Sequence, residues 1–277
     1  MKNLLLFFTI FVLFSCQRTV IRSPAAQKSE SIINIVFDID YTIVQPAKDL
    51  KDPDVFKIGE EYYKINNWTR ETIESLSRHH NVRISFFSGG QRDRNIKLLK
   101  TIKTNSGRSL FEFASSIYSY DDLHQVQEEG RFSERLKKDL AKLDFNLDRT
   151  ILIDDNAMFT YGNQSDNMLW LGKTYHHYED FSKTYKDLGD EKVLQEFIPS
   201  NFQEWFLARN KLKFVHELIE DAIDAEKDGK SQFLDFIVKN KENYIPYEEK
   251  FTDHYRALYT REVQTLNYSC SKAVLSF

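Results

Sequence analysis

The sequence predicts an α/β fold: an open parallel sheet flanked by helices, followed by an all-helical C-terminal extension. Three observations carry this. Apolar runs rich in β-branched residues stop abruptly at polar ones, at Asp38, Ser88 and Asp154. Segments with helical periodicity alternate with those runs, which is the pattern of a parallel sheet. Beyond Gly189 no glycine occurs until Gly229, and apolar residues recur there at helical spacing. Composition agrees with a folded body. The chain has 277 residues, 22 Phe and 14 Tyr, enough aromatic content to offset the entropy of ordering. A net charge of −4 gives no electrostatic reason to expect a nucleic acid partner. Two Cys build neither a disulfide framework nor a four-thiolate zinc site.

In chain order, residues 1–15 come first. Met1-Lys2-Asn3 precedes an apolar stretch from Leu4 to Phe14, and Ser15-Cys16 follows. A basic start, a short apolar stretch and a small residue describe a signal peptide. The stretch falls short of the roughly 20 apolar residues a membrane span needs. Leu13-Phe14-Ser15-Cys16 resembles the lipobox of bacterial lipoproteins, with Cys16 as the acylated residue. Residues 16–31 lack periodicity and read as a tether between lipid and domain. This predicts a lipid-anchored protein outside the cytoplasm of a bacterial cell. Gln17 after the Cys favours the outer membrane in a Gram-negative source.

The chemical module spans residues 32–190. Ile32 to Phe37 predicts a buried strand. Phe56-Lys57-Ile58 and Tyr62 to Ile65 flank Gly59-Glu60-Glu61 and predict a hairpin. Trp68 to His80 predicts a helix capped by Asn67 or Thr69. Val82 to Phe87 is a second strand, and Asp93 to Ile102 a helix. Leu110 to Tyr120 reads as strand. Phe132 to Leu143 reads as a helix with Leu136, Leu140 and Leu143 on one side. Thr150 to Ile153 and Met168 to Leu171 are the third and fourth strands. Residues 191–277 predict three helices, around Phe202–Ile223, Phe233–Ile237 and Phe251–Tyr259, forming either a separate small domain or a cover for the sheet. His79-His80 and His176-His177 read as a helix end and a surface pair, and Cys270 as a lone thiol.

The chemistry sits where the strands stop. Asp38-Ile39-Asp40-Tyr41-Thr42 follows the first strand, Ser88-Gly89 the second and Asp154-Asp155 the third; a Lys, most simply Lys138, precedes the third. Parallel sheets bind ligands beyond the carboxyl ends of their strands. Several carboxylates in one pocket repel unless a hard cation neutralises them, and an oxygen-rich set points to Mg²⁺. One carboxylate can then attack phosphorus, and a second, two residues on, can deliver a proton to the leaving oxygen. A hydroxyl, backbone amides and a Lys can hold the equatorial oxygens.

These four motifs resemble those of the haloacid dehalogenase superfamily. The run from Leu136-Lys137-Lys138-Asp139-Leu140 to Ile153-Asp154-Asp155 resembles, within it, the nuclear-LIM-interactor-interacting-factor-like and RNA polymerase C-terminal-domain phosphatases. Its spacing selects Lys138 over Lys137 and Lys142. The resemblance covers about residues 32–185 and implies a Rossmann-like sheet and a Mg²⁺-dependent phosphatase. It implies Asp38 as nucleophile and metal ligand, and Asp40 as general acid/base whose carbonyl also ligates. Ser88 and Lys138 join them in the catalytic set. Thr42 sets the loop geometry, and Thr42, Ser88, Gly89 and Lys138 contact the phosphoryl group. Asp155 is the direct metal ligand beside Asp154. Tyr41 departs from the acidic residue usual there, and Ser88 from the more common Thr. The expected substrate is a phosphorylated small molecule or phosphoprotein. Two rival readings share the fold: an inactive envelope protein binding a partner or phospho-ligand, and an exported acid phosphatase acting on nucleotides.

Overall fold

A computed structural model describes residues 32–47, 52–143, 145–172 and 202–245. The predicted signal peptide, Cys16 and the tether lie outside the described residues, as do His176-His177, the predicted third C-terminal helix and Cys270.

Five parallel strands form the central sheet: β1 (Ile33–Phe37), β5 (Val82–Phe87), β6 (Ala114–Tyr118), β9 (Thr150–Asp154) and β10 (Met168–Trp170). They lie in the order β10-β9-β1-β5-β6. The middle strands β1 and β9 are short, apolar and buried on both sides, as a covered parallel sheet requires. The period of two separates two cores. Ile33, Ile35 and Phe37 face one cluster, and Val36 faces the other with Phe87, Leu136, Leu140 and Leu152.

Between β1 and α1 (Thr69–Leu76) lies a small antiparallel sheet made of β2 (Val44–Pro46), β3 (Val55–Ile58) and β4 (Glu61–Ile65), in the order β2-β4-β3. The predicted hairpin is β3-β4, turned at Gly59 with φ 61°. The residue preceding α1 is Trp68, not Asn67 or Thr69, and it adopts a left-handed φ of 68° with no side-chain cap. Its indole nitrogen donates to Asn210 Oδ1 at 3.0 Å, and Lys213 lies 4.8 Å from the ring centre. Those tertiary contacts hold a conformation that bulky residues normally avoid.

After β5 comes α2 (Arg92–Thr101), close to its predicted bounds. Leu110 to Tyr120 departs from expectation. Ser109 and Glu112 form a capping box that starts a one-turn helix, α3 (Leu110–Phe113), and only Ala114–Tyr118 is strand. A register shift where β6 meets Ile84/Ser85 accounts for its irregular pattern.

The predicted helix over 132–143 is corrected more strongly. Only α4 (Phe132–Arg135) is α-helical; β8 (Leu136–Lys137) is extended and pairs antiparallel with β7 (His124–Gln125). Residues 141–143 form a 3₁₀ turn. Leu136 and Leu140 are nonetheless buried in one cluster. A separation of four residues returns to the same side in both a helix and an extended chain, so it does not tell them apart. Lys138 follows directly, with its amide donating to the Phe159 carbonyl at 2.9 Å.

Two long helices close the described chain, α5 (Phe202–Lys227) and α6 (Phe233–Tyr244). Phe214, Val215, Leu218 and Ile219 of α5 join the cluster of Ile33, Ile35 and Phe37, so these helices cover one face of the sheet. Arg149, just before β9, is paired bidentately with Glu226 near the end of α5, at 2.7 and 2.6 Å. Gly229-Lys230-Ser231 lies in the turn between α5 and α6.

Candidate active site

Strand register brings the sequence-predicted residues together. Phe37 pairs with Ile153 on one side and Phe86 on the other, so the ends of β9, β1 and β5 lie side by side. Asp38, Asp154 and Ser88 sit at those ends. The Asp38 amide donates to the Ile153 carbonyl at 2.9 Å.

Lys138 enters this row from the opposite core. Its ammonium is fully buried and donates to Asp38 Oδ1 at 2.5 Å and Asp154 Oδ2 at 2.7 Å. The rings of Phe87 and Phe159 lie 5.6 and 4.9 Å from it. Burial pulls Lys138 toward its neutral form, but Asp154 and Asp38 outweigh that and hold it firmly charged. Burial pushes the Asp38 carboxyl well above its usual range. Lys138 pulls it back, while Asp154, Asp155 and Asp40 push it further up. Asp154 is likewise raised by burial, against the pull of Lys138 and the Asn156 amide, which donates to Oδ1 at 2.8 Å.

Carboxylate oxygens of Asp38, Asp154 and Asp155 lie within 4.8 Å of one another. One lysine against three carboxylates leaves a negative excess in a buried place. Such a set of hard oxygen donors fits a divalent cation. Both oxygens of Asp154 are already engaged, by Lys138 and by the Asn156 amide.

The loop after β1 turns tightly. Ile43 and Val44 donate to the Ile39 carbonyl at 2.8 and 3.0 Å. Tyr41 takes a left-handed φ of 62° within it. Asn66 holds the loop by donating to the carbonyls of Tyr41 and Thr42 at 3.0 and 2.9 Å. The Thr42 hydroxyl is buried with no hydrogen-bond partner among the described residues. Burial, Asp155 and Asp40 raise the Tyr41 phenol above its ordinary range.

On the β5 side, the buried Ser88 hydroxyl donates to Asp40 Oδ2 at 3.0 Å and accepts from the Gly90 amide at 3.0 Å. A Cβ at Gly89 would stand 2.8 Å from the Phe132 ring, so that partly exposed ring would have to shift to admit one. That ring stacks with Tyr120 at 6.1 Å and meets Phe159 edge-on at 5.9 Å.

Thus Asp38, Asp154, Asp155 and Lys138 form one cluster, and Asp40 and Ser88 are bonded beside it. Sequence reasoning missed three neighbours. Arg94 of α2 grips both oxygens of Asp40. Its signal was a cation in the first helical turn, where the helix dipole disfavours one. Asn66 supports the loop from the small sheet. The partly buried Lys211 of α5 is pulled down to about 8 by burial, with the Asp155 charge pulling the other way.

Residues 33–191 match the family model described as NLI interacting factor-like phosphatase. No curated protein matches the chain. Among solved structures, one titled "The Structure of Fcp1, an essential RNA polymerase II CTD phosphatase" is 15% identical. It has a TM-score of 0.43, covering 75% of this chain and 70% of that one. A variant of the fission yeast RNA polymerase II CTD phosphatase Fcp1, bound to beryllium fluoride, is 15% identical with a TM-score of 0.39, covering 87% of this chain and 67% of that one. The family match takes in every strand of the central sheet and all the acidic residues of the site, and the chain therefore belongs to the NLI interacting factor-like phosphatases.

Proposed function

We propose that this phosphatase is Mg²⁺-dependent and hydrolyses phosphate monoesters through an aspartyl-phosphate on Asp38. The observation that carries the reading is the buried cluster of Asp38, Asp154 and Asp155 around Lys138 at the strand ends. Asp38, Asp155 and the Asp40 carbonyl, with Asp154 beside them, would hold the ion. Bound there, Mg²⁺ supplies positive charge that makes the clustered carboxylates compatible and offsets charge on the phosphoryl oxygens.

The chain's own groups do the rest. A carboxylate oxygen of Asp38 attacks phosphorus, and the bond from phosphorus to the leaving oxygen breaks. Asp40 gives its proton to that oxygen, so an alcohol leaves. Ser88, the Gly89 amide and Lys138 hold the phosphoryl oxygens, with the unpartnered Thr42 hydroxyl nearby in the loop. Water then attacks the aspartyl-phosphate, Asp40 takes one of its protons, and inorganic phosphate departs with Asp38 restored.

The test is hydrolysis of an aryl phosphate with and without Mg²⁺, plus acid-quench trapping of a phosphorylated protein. Asp38→Asn should yield neither turnover nor trapped phosphate. Turnover retained in that variant would mean another nucleophile. The reading extends to Cys16 as a lipid-bearing residue holding the domain outside a bacterial cytoplasm. Incorporation of labelled palmitate, lost in Cys16→Ala, checks it; equal labelling of both would reject it.

A further inference from the structure

Four large apolar side chains are exposed among the described residues: Tyr120, Val126, Phe132 and Met158. Such residues scattered singly need no explanation, but two of these are joined. Tyr120 and Phe132, 43% and 39% exposed, stack with their ring centres 6.1 Å apart and their planes 30° from parallel. Phe132 also meets the half-buried Phe159 edge-on at 5.9 Å. Three rings from three separate turns of the chain thus make one patch that water still touches. Each turn is fixed. The Tyr120 amide donates to the Gly90 carbonyl at 3.0 Å. Phe132 opens α4, where the Arg131 amide donates to Glu134 Oε2 at 2.8 Å and the Val126 amide to the Arg135 carbonyl at 2.8 Å. The Phe159 carbonyl accepts from the Lys138 amide at 2.9 Å.

This patch borders the phosphoryl site. The edge of the Phe132 ring lies against Gly89, 2.8 Å from where a Cβ would stand. The Phe159 ring centre is 4.9 Å from the Lys138 ammonium, which bonds to Asp38 Oδ1 at 2.5 Å. Gly89 and Lys138 are two of the groups assigned to the phosphoryl oxygens. A phosphate held by them has these rings at its side, and the first atoms of its alcohol portion are the part of the substrate that reaches them. Carbon faces have little to offer charged oxygens, whereas an apolar group beside them takes both surfaces out of water. A flat ring suits the place best, because it can stack on a face or meet an edge, as the three rings already do with one another.

We propose that Phe132, with Tyr120 and Phe159, determines specificity for the alcohol portion of the substrate, selecting phosphate esters that carry an aromatic ring within one or two atoms of the scissile oxygen. The proposal rests on the reading of Gly89 and Lys138 as holders of the phosphoryl group. The rings take no part in bond making or breaking. They bind the alcohol portion on a surface that is already in place, so little ordering is needed when the substrate arrives. Short aliphatic esters bind through the phosphate alone.

The experiment compares benzyl phosphate with ethyl phosphate in the presence of Mg²⁺. Both release a primary alcohol of similar acidity, so their ratio reads the ring and not the strength of the bond broken. The full chain should favour benzyl phosphate in kcat/KM by roughly tenfold or more, equivalent to about 1.4 kcal/mol. Phe132→Ala should bring the ratio close to one, and Phe132→Leu, which keeps an apolar side chain without the ring, should leave an intermediate value. Circular dichroism checks that each variant is folded, and the leucine variant keeps the test valid if the alanine variant is not. A wild-type ratio near one overturns the proposal and leaves the phosphatase reading standing, as does a ratio that survives in the Phe132 variants. Cyclohexylmethyl phosphate, equally apolar but not flat, should fall below benzyl phosphate; equal turnover of the two overturns the selection for rings. No turnover of any of these esters or of an aryl phosphate overturns both readings.

Discussion

Replacing Lys138 by Met would test the electrostatic centre of the site directly. Methionine keeps most of the length of the side chain, whose end lies 5.6 and 4.9 Å from the Phe87 and Phe159 rings, so the change removes chiefly the charge. The ammonium is fully buried and makes two short bonds, at 2.5 and 2.7 Å, to carboxylates that are themselves buried. A charge-assisted hydrogen bond contributes about 1.5–3 kcal/mol, and two give roughly 3–6 kcal/mol. Breaking a buried ion pair from one side costs about 3–5 kcal/mol. The two routes agree on a loss of about 4 kcal/mol at neutral pH. Urea denaturation without divalent cations would measure it. Lys138 lowers the pKa of both Asp38 and Asp154, so its removal lifts both further above their unfolded values. The folded state then binds protons that the unfolded chain does not, and the deficit should shrink as pH falls from 7.5 toward 4. Adding Asp154→Asn should recover part of it. A loss under about 1 kcal/mol, the scale of an exposed pair, would refute the account, as would a deficit independent of pH.

Other outcomes follow from the same contacts. Burial raises the Asp38 carboxyl, so the metal-free wild type loses stability as pH rises through that raised value. Asp38→Asn should therefore unfold at higher urea than wild type at pH 7.5, and the gap should close in acid. In Gly90→Ala a Cβ would meet Asn95 Oδ1 at 2.7 Å and Arg94 Nη1 at 3.0 Å. Asn95 is buried and bonded to the Gly90 carbonyl and Ser119, so it has nowhere to go. A cost of about 1–3 kcal/mol in thermal melts is expected. Glu220 of α5 is partly buried, which raises it. The bonds from His79 at 2.7 Å and Ser75 at 3.0 Å outweigh that and lower its pKa. That contribution is present above the unfolded carboxyl value and lost as pH falls through the folded one. Glu220→Gln should cost about 1 kcal/mol at pH 7, and nothing near pH 2.

The strand ends were legible because these buried parallel strands are mostly apolar and end in short apolar runs, such as Ile35-Val36-Phe37, Phe86-Phe87 and Ile151-Leu152-Ile153, which Asp38, Ser88 and Asp154 interrupt sharply. Positions 132–143 misled because leucines four apart suit two periodicities, and only the pairing of β8 with β7 decides between them. Strand β2 was too short to read, three residues ending in Pro46. The C-terminal helices were visible in their spacing, but not their place against the sheet. An apolar helical stripe tells that something is covered and not what. Arg94 left one local sign, a cation in the first turn of its helix, but its partner Asp40 and the carbonyls that Asn66 holds are distant in sequence, which no local pattern encodes.

Trp68 gives the site an unusual ancestry of support. Its backbone is held in a costly conformation by Asn210 of α5, and two residues earlier Asn66 holds the carbonyls of Tyr41 and Thr42 in the loop after Asp38. The family match spans residues 33–191, whereas this bracing reaches residue 210. The matched region therefore leans on a residue outside it. A fragment trimmed to residues 33–191 would keep every acidic residue of the site and lose a strut behind their loop.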